Sequence, residues 1–501
     1  MSEVNGINGH KAGATGFQWK VGLQNSLGKY LTAETFGFKI NASGVGLKKK
    51  QVWTIEQVSN EEWVYIRSHL GRYLSADRHR NVTCEAEEPT ESERFVVEYS
   101  KNGRWAFRNV AHQYYLGGND DKVTCFDKPP NDIGWWSIQL SIHPQVHLRN
   151  VNRKRYAHLA NNELQCTEIV PWGADSLVIM DFVDGRYTLK SCDNRYLSRE
   201  GTLQETMTED TMFTLEIRSG ALAFKDHEGR YLTSVGAQAV MKARNKMITK
   251  DELFTIEDSH PQVMFVAHNG KKVSVKQGID VSANQDEEVS DKEIFQLEYE
   301  SVLNKWAVRT DGNKYWTLHP STGIQATATD VKPGGQRKEE CFFELVWQDN
   351  GLAAIKASNG MYIYNKPSGT LMGGSDAITD KEKFQIVLLN RPLVVLKGEH
   401  GFVGVKGNQY ICNKTSYDII KVESNGKGGY RLKGQNGKYW EINADSTISA
   451  EGNSASDFIF EFHGQSKLAI KAPHGAYLMG YQNGDFKAVA DTVDCKSLWE
   501  Y

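Results

Sequence analysis

His143-Pro144-Gln145-Val146 returns as His260-Pro261-Gln262-Val263, 117 residues further along the chain. Asn390-Arg391-Pro392-Leu393 repeats the junction in looser form, 131 residues after Pro261 when counted at Pro392. Between these junctions a shorter phrase recurs: a small or polar turn residue, a basic or polar residue, an aromatic, then an aliphatic or aromatic. It reads Gly28-Lys29-Tyr30-Leu31, Gly71-Arg72-Tyr73-Leu74, Asn194-Arg195-Tyr196-Leu197, Gly229-Arg230-Tyr231-Leu232, Gly437-Lys438-Tyr439-Trp440 and Gly475-Ala476-Tyr477-Leu478, with looser copies between. From Tyr30 to Tyr477 is 447 residues in eleven steps, 40.6 on average. A copy at Gly270-Lys271-Lys272-Val273 has lost its aromatic.

A second phrase runs in phase with the first: an aromatic, then alternating apolar residues, often ending on Glu. Trp53-Thr54-Ile55-Glu56, Phe213-Thr214-Leu215-Glu216 and Phe254-Thr255-Ile256-Glu257 are examples. Alternation with period two over four to six residues, closed by Gly, Asn or Asp, marks short half-buried strands. Helical spacing is hard to find for more than a turn or two, so the chain reads as all-β.

A unit of about forty residues and four short strands fits a propeller blade or one third of a β-trefoil. The junctions decide between them. They recur every three units, and a trefoil closes after three, whereas propeller blades have no reason to repeat in threes. Repeated Trp-Asp signatures are absent as well. The expectation is four tandem β-trefoils over 1–141, 142–258, 259–388 and 389–501, with a polar, Gly-rich, flexible tail over 1–16.

Length and composition agree with several domains. Forty-five glycines against eleven prolines suit many tight turns. The formal charge of −3 provides no global basic field of the kind a nucleic-acid binder carries. Seven scattered cysteines without a Cys-x-x-Cys argue against a disulfide framework or a structural zinc, and most read as small buried apolar residues. No apolar run approaches a membrane span, and Met1 to Gly16 has no signal-peptide core. Lys250-Asp251-Glu252-Leu253 is internal and cannot act as a retention tail. A reducing cytosol is the expected home. No hydrolase, phosphate-loop, zincin or EF-hand signature survives inspection, so neither catalysis nor a cofactor is expected. The fourteen histidines lack metal-ligand spacing and read as surface or turn residues.

Several idiosyncratic stretches resemble fascin: Phe36-Gly37-Phe38-Lys39, Leu47-Lys48-Lys49-Lys50-Gln51, Arg153-Lys154-Arg155-Tyr156-Ala157-His158-Leu159, Gly398-Glu399-His400-Gly401-Phe402 and the terminal Ser497-Leu498-Trp499-Glu500-Tyr501. The similarity runs from end to end. It implies a cytoplasmic, monomeric protein that bundles filamentous actin in filopodia and similar protrusions, with no nucleic acid partner and no membrane insertion.

The sharpest basic cluster is Lys48-Lys49-Lys50, which could form several ion pairs with an acidic filament; the competing reading is a solvated loop guarding a strand edge. By analogy Lys29 joins the same surface. Arg153-Lys154-Arg155 is a second cluster, able to grip carboxylates bidentately or simply to decorate a hairpin. The resemblance assigns the stretch carrying Arg391, Lys397, Glu399, His400 and Lys406 to a filament-binding surface near the first lobe. The alternative for Glu399 and His400 is a buried or half-buried inter-domain seam. Repeat aromatics such as Tyr73 and Tyr231 read as core, and the acidic runs Glu85 to Glu93 and Asp286-Glu287-Glu288 as solvated loops.

Two positions depart from the family pattern. Gly46 stands where members carry a phosphorylatable serine, leaving Ser43 as the nearest hydroxyl; Met479 stands where a member can present Lys. A phosphate near the lysines would cancel their charge. The rival reading is a trefoil lectin, which repeats Gln-x-Trp in each unit, but Gln51-Val52-Trp53 is the only clear copy.

Overall fold

The computed structural model describes residues 16–58, 61–118, 122–126, 132–275, 278–329, 338–464 and 466–501. The tail expected over 1–16 lies outside the described residues except for Gly16. Among the described residues the chain is built of β-strands and single 3-10 turns, with no α-helix. The strands form four antiparallel sheets of 12, 12, 12 and 13 strands, reaching from Gly16 to Leu140, Gln145 to Glu257, Gln262 to Leu388 and Leu393 to Glu500. The fold is four tandem β-trefoils.

Each sheet closes on itself by pairing an early strand with its last. Val21 faces Leu140, Leu148 faces Ile256, Val263 faces Leu388, and Lys397 faces Glu500. Closure leaves no free edge to recruit another chain at these positions.

The first repeat shows why the two sequence phrases recur. It comprises β1 (Gly16–Gln24), β2 (Tyr30–Ala33), β3 (Ile40–Gly44), a 3-10 turn at Lys49–Gln51 and β4 (Trp53–Val58). Gly28 closes the β1–β2 turn at φ 73°; a Cβ there would meet nothing within 4 Å, so conformation and not space calls for glycine. The ladder slips between Tyr30 and Thr32, and the same slip follows Tyr73, Tyr231, Tyr315 and Tyr477. The phrase aromatic therefore marks a β-bulge, which bends the strand and re-aims the ring.

The ring is aimed at the glutamate of the other phrase. Tyr73 donates to Glu56 at 3.1 Å, Tyr231 to Glu216 at 2.9 Å, Tyr315 to Glu298 at 3.0 Å and Tyr439 to Glu423 at 3.1 Å. In the second lobe the pairing wraps around, Tyr156 reaching Glu257 at 2.6 Å. Burial and the Glu56 carboxylate push the Tyr73 phenol up to about 12. Tyr231 is buried as expected, whereas Tyr73 is half-buried. Where the aromatic is lost, Lys272 instead donates to the Glu287 carbonyl at 2.7 Å.

The chain forms two compact units, residues 1–171 with 175–258 and residues 172–174 with 259–501. In each, two trefoils share one continuous core, with Trp53, Trp105 and Trp136 fully buried in the first and Trp316, Trp440 and Trp499 in the second. The same latch joins the trefoils of each unit. The Tyr187 hydroxyl accepts from the Leu140 N–H at 2.7 Å and donates to the Ile138 carbonyl at 2.9 Å. Tyr430 does likewise with the Leu388 N–H and the Ile386 carbonyl.

Five of the seven free cysteines are buried, Cys192 is intermediate and Cys495 exposed. Two histidines depart from the surface reading: His147 and His158 are buried on strands, His147 bonded to the Ser176 carbonyl. Their strand positions point inward, and a hydrogen-bonded imidazole is tolerated there. No helix among the described residues is long and apolar enough to cross a membrane, and no group of side chains there could hold a metal ion.

Candidate functional site

The 3-10 turns that precede several second-phrase strands follow a common plan. At Thr249, the backbone N–H and the hydroxyl both donate to Glu252, at 2.8 and 2.7 Å. Ser290 with Glu293 and Thr379 with Glu382 repeat this reciprocal cap. Burial alone would raise the Glu252 carboxyl, but hydrogen bonds from Asn245 and Thr249 outweigh it and hold the group below its ordinary value. The internal Lys250-Asp251-Glu252-Leu253 string is simply one of these turns.

The first repeat alters this plan, while Thr90 and Glu93 in the second keep it. Lys48 replaces the capping hydroxyl, and Gln51 replaces the glutamate. Gln51 still accepts from the Lys48 N–H at 3.2 Å, and its amide donates to the Thr32 hydroxyl at 3.1 Å. The turn keeps its shape while losing a buried negative charge beneath three lysines. Glutamate here would partly neutralise them, so the pair of changes creates net positive potential on a rigid turn.

The lysines are not equivalent. Lys50 is tied to Glu34 at 2.7 Å, and that bond is the chief reason the Glu34 carboxyl sits below its ordinary value. Lys48 and Lys49 are exposed and form no ion pair among the described residues. Burial, then Lys49 and Lys50, lower the pKa of His69 beside them, so at neutral pH it adds no charge. Tyr30 pairs with Gly44, which puts Lys29, half-buried on its turn, opposite Val45 on the same edge. Ser43 is exposed on β3 with its hydroxyl on Asn41 at 2.6 Å, and Gly46 is buried.

The second cluster is smaller than the sequence suggests. Arg153 spends its guanidinium on the Ser234 and Gly236 carbonyls, at 3.0 and 2.9 Å. Lys154, at φ 54°, is exposed, and Arg155 is half-exposed and donates to the Lys154 carbonyl. Lys154 and Arg155 are the cations left to an outside partner.

In the fourth trefoil Arg391 is no surface residue. It is 2% exposed, bonded to the Ser259 hydroxyl at 2.5 Å and the Asn390 carbonyl at 3.1 Å, and lies over the Tyr501 ring. Burial, with no carboxylate beside it among the described residues, drags its pKa down to about 10. Lys397 pairs with Glu500 at 3.5 Å and lies over Phe402. Glu399 is exposed, contrary to the seam reading, because it occupies the turn between the short strands Lys397–Gly398 and Gly401–Lys406; His400 is half-buried and Lys406 exposed.

One basic surface escapes a search for consecutive lysines. Lys242 and Arg244 lie on one face of the strand Val240–Asn245, Lys246 follows in the same alternation, and Lys250 starts the next turn. Three of the four are exposed, and none forms an ion pair among the described residues. Its sequence signal was basic residues at every second position, the strand period.

Comparison with known proteins gives the chain a family. The profile of the fascin domain matches residues 27–138, 146–256, 268–386 and 400–501, one match for each sheet. The chain is similar to Fascin-2 of Bos taurus, 42% identical over 487 residues that cover 96% of this chain and 97% of that protein. It is similar to Fascin of Strongylocentrotus purpuratus, 37% identical over 510 residues, covering 97% and 100%. Fascin-3 of Mus musculus is 24% identical over 510 residues, covering both chains fully. Four domain matches on four closed sheets, with identity sustained across nearly the whole length, mean that this chain belongs to the fascin family.

Proposed function

We propose that this chain binds actin filaments and crosslinks them into parallel bundles, as a cytoplasmic monomer with at least two separate binding surfaces. The role is structural, not catalytic, and calls on no cofactor. The trefoils at 1–141, 142–258, 259–388 and 389–501 serve as scaffolds for those surfaces. Family membership supports the actin partner and, with it, a place in filopodia and similar protrusions.

The observation that carries the reading is the first-trefoil turn. Lys48 and Lys49 have no ion partner among the described residues, on a turn whose counterparts at Thr249, Ser290 and Thr379 keep a hydroxyl–glutamate cap, so a local structural device has been exchanged for charge. Lys29 flanks this surface. Candidates for a second are Lys242, Arg244, Lys246 and Lys250 on the second trefoil, beside Lys154 and Arg155. On the fourth trefoil Lys397, Glu399, His400 and Lys406 are candidates, and Arg391 acts only from within.

Low-speed co-sedimentation with filamentous actin tests the proposal. Wild-type protein should pellet filaments, and less so as salt rises past about 0.1 M, where screening acts over roughly 10 Å. Reversing Lys48 and Lys49 to Glu should remove bundling while part of the single-filament binding survives through the other surface. Filaments left in the supernatant by wild-type protein at physiological salt would end the proposal.

A further inference from the structure

The first trefoil exposes an aromatic side chain beside the turn that carries Lys48 and Lys49, which form no ion pair among the described residues. Phe36 is 92% exposed, the most of any large hydrophobic among the described residues, and Val45 is 77% exposed. A lone exposed apolar residue needs no explanation. The way this one is held does.

The Glu34 N–H donates to the Lys39 carbonyl at 2.8 Å, closing a tip that carries Thr35, Phe36, Gly37 and Phe38. Gly37 and Phe38 both adopt left-handed conformations, at φ 64° and 48°. For a bulky residue such as Phe38 that is strained and requires support. Support comes from Arg72, whose guanidinium lies 5.1 Å from the Phe38 ring centre. Arg72 is itself fixed by the Glu85 carbonyl at 3.1 Å and the Glu87 carboxylate at 2.5 Å. One phenylalanine is pinned so that the other projects from a rigid tip. Lys50 joins the tip to the lysine turn through Glu34, at 2.7 Å, and Asn41 on β3 bonds the same carboxylate at 3.3 Å.

We infer that Phe36 is a preorganised apolar anchor of the first-trefoil surface, seating its ring in an apolar recess of the actin filament while Lys48 and Lys49 engage acidic groups around it. The inference rests on the proposed actin-binding function. The charges supply attraction and approach, and the ring supplies short-range affinity with little ordering cost, because its tip is already rigid. Lysines around an exposed ring also suit an anionic lipid surface. The filament is favoured because the tip is continuous, through Glu34 and Lys50, with the lysine turn on which the proposed filament binding rests.

The test is Phe36→Ser in the full chain, beside Lys48→Glu/Lys49→Glu, by high-speed co-sedimentation with filamentous actin over a salt series. Phe36 touches solvent almost entirely, so Phe36→Ser should unfold with wild type. Burying most of a phenylalanine ring predicts about tenfold weaker filament binding, by a factor that does not change with salt. The lysine reversal should instead show a deficit that shrinks as salt rises. Phe36→Leu should recover most of the affinity. Equal binding by Phe36→Ser and wild type at every salt overturns the inference. So does loss of binding to vesicles of phosphatidylcholine and phosphatidylserine with filament binding intact, which would make the tip a lipid contact. Wild-type protein that binds no filament would sink the underlying function, a result distinct from either.

Discussion

Replacing Arg391 by alanine separates a buried structural cation from a surface ligand. The guanidinium makes two hydrogen bonds, to Ser259 and to the Asn390 carbonyl. Charge-assisted bonds of this kind contribute about 1.5–3 kcal/mol each, so the pair represents about 3–6 kcal/mol. The buried alkyl stem adds about 2 kcal/mol at roughly 0.8 kcal/mol per methylene. Against this stands the cost of burying the charge. The folded pKa of about 10 lies below the unfolded 12.5. A base depressed in this way destabilises the fold at neutral pH, by about 3 kcal/mol at 1.36 kcal/mol per unit. That penalty is relieved only as pH rises through the folded value towards the unfolded one.

The balance is a net loss of about 2–5 kcal/mol for Arg391→Ala, read as a lowered guanidinium midpoint in tryptophan-monitored unfolding. Arg391→Met retains the stem and sheds the charge, so it should fall between alanine and wild type. Filament binding per folded molecule should be unchanged in both. A variant as stable as wild type but deficient in filament binding would refute the buried placement and return Arg391 to the surface.

Tyr187→Phe and Tyr430→Phe each strand a buried backbone N–H, and each should lower unfolding stability by about 1–3 kcal/mol, with exchange of the Leu140 or Leu388 amide rising in the affected unit alone. For Glu252 the folded carboxyl lies below its unfolded value, so its contribution is present above the unfolded pKa and lost as pH falls through the folded one; Glu252→Gln should flatten that part of an acid-unfolding profile. Reversing Lys242, Arg244 and Lys246 to Glu should reduce bundling at low speed more than filament binding at high speed; unchanged bundling would remove this strip as a candidate surface.

The fold was readable because its determinants are local. A left-handed residue such as Gly28 and the bulge after Tyr30 each act within a few positions, so they leave the same short phrase in every unit. The pairing of that phrase with its glutamate was not readable as a contact, since Tyr73 and Glu56 belong to consecutive units and Tyr156 reaches Glu257 across a whole trefoil. Charge on a surface was visible only where it was consecutive. Lys48 to Lys50 stood out, whereas Lys242, Arg244 and Lys246 required the strand to be known before their common face emerged. Arg391 misled for the opposite reason: a guanidinium flanked by Asn and Pro looks solvated until Ser259 and Tyr501 are brought to it from 132 and 110 positions away.

The closure of each sheet governs the order in which the molecule can be made. In the first trefoil Val21 finds Leu140, and in the fourth Lys397 finds Glu500, so a barrel stays open until its final strand has left the ribosome. Hairpins can form as they emerge, but the ring has a long loop to close. The latch then couples one ring to the next, since Leu140 must wait for Tyr187 and Leu388 for Tyr430. Synthesis therefore proceeds through four intervals in which a half-built barrel exposes unpaired edges, and those intervals are when the nascent chain has most need of a chaperone.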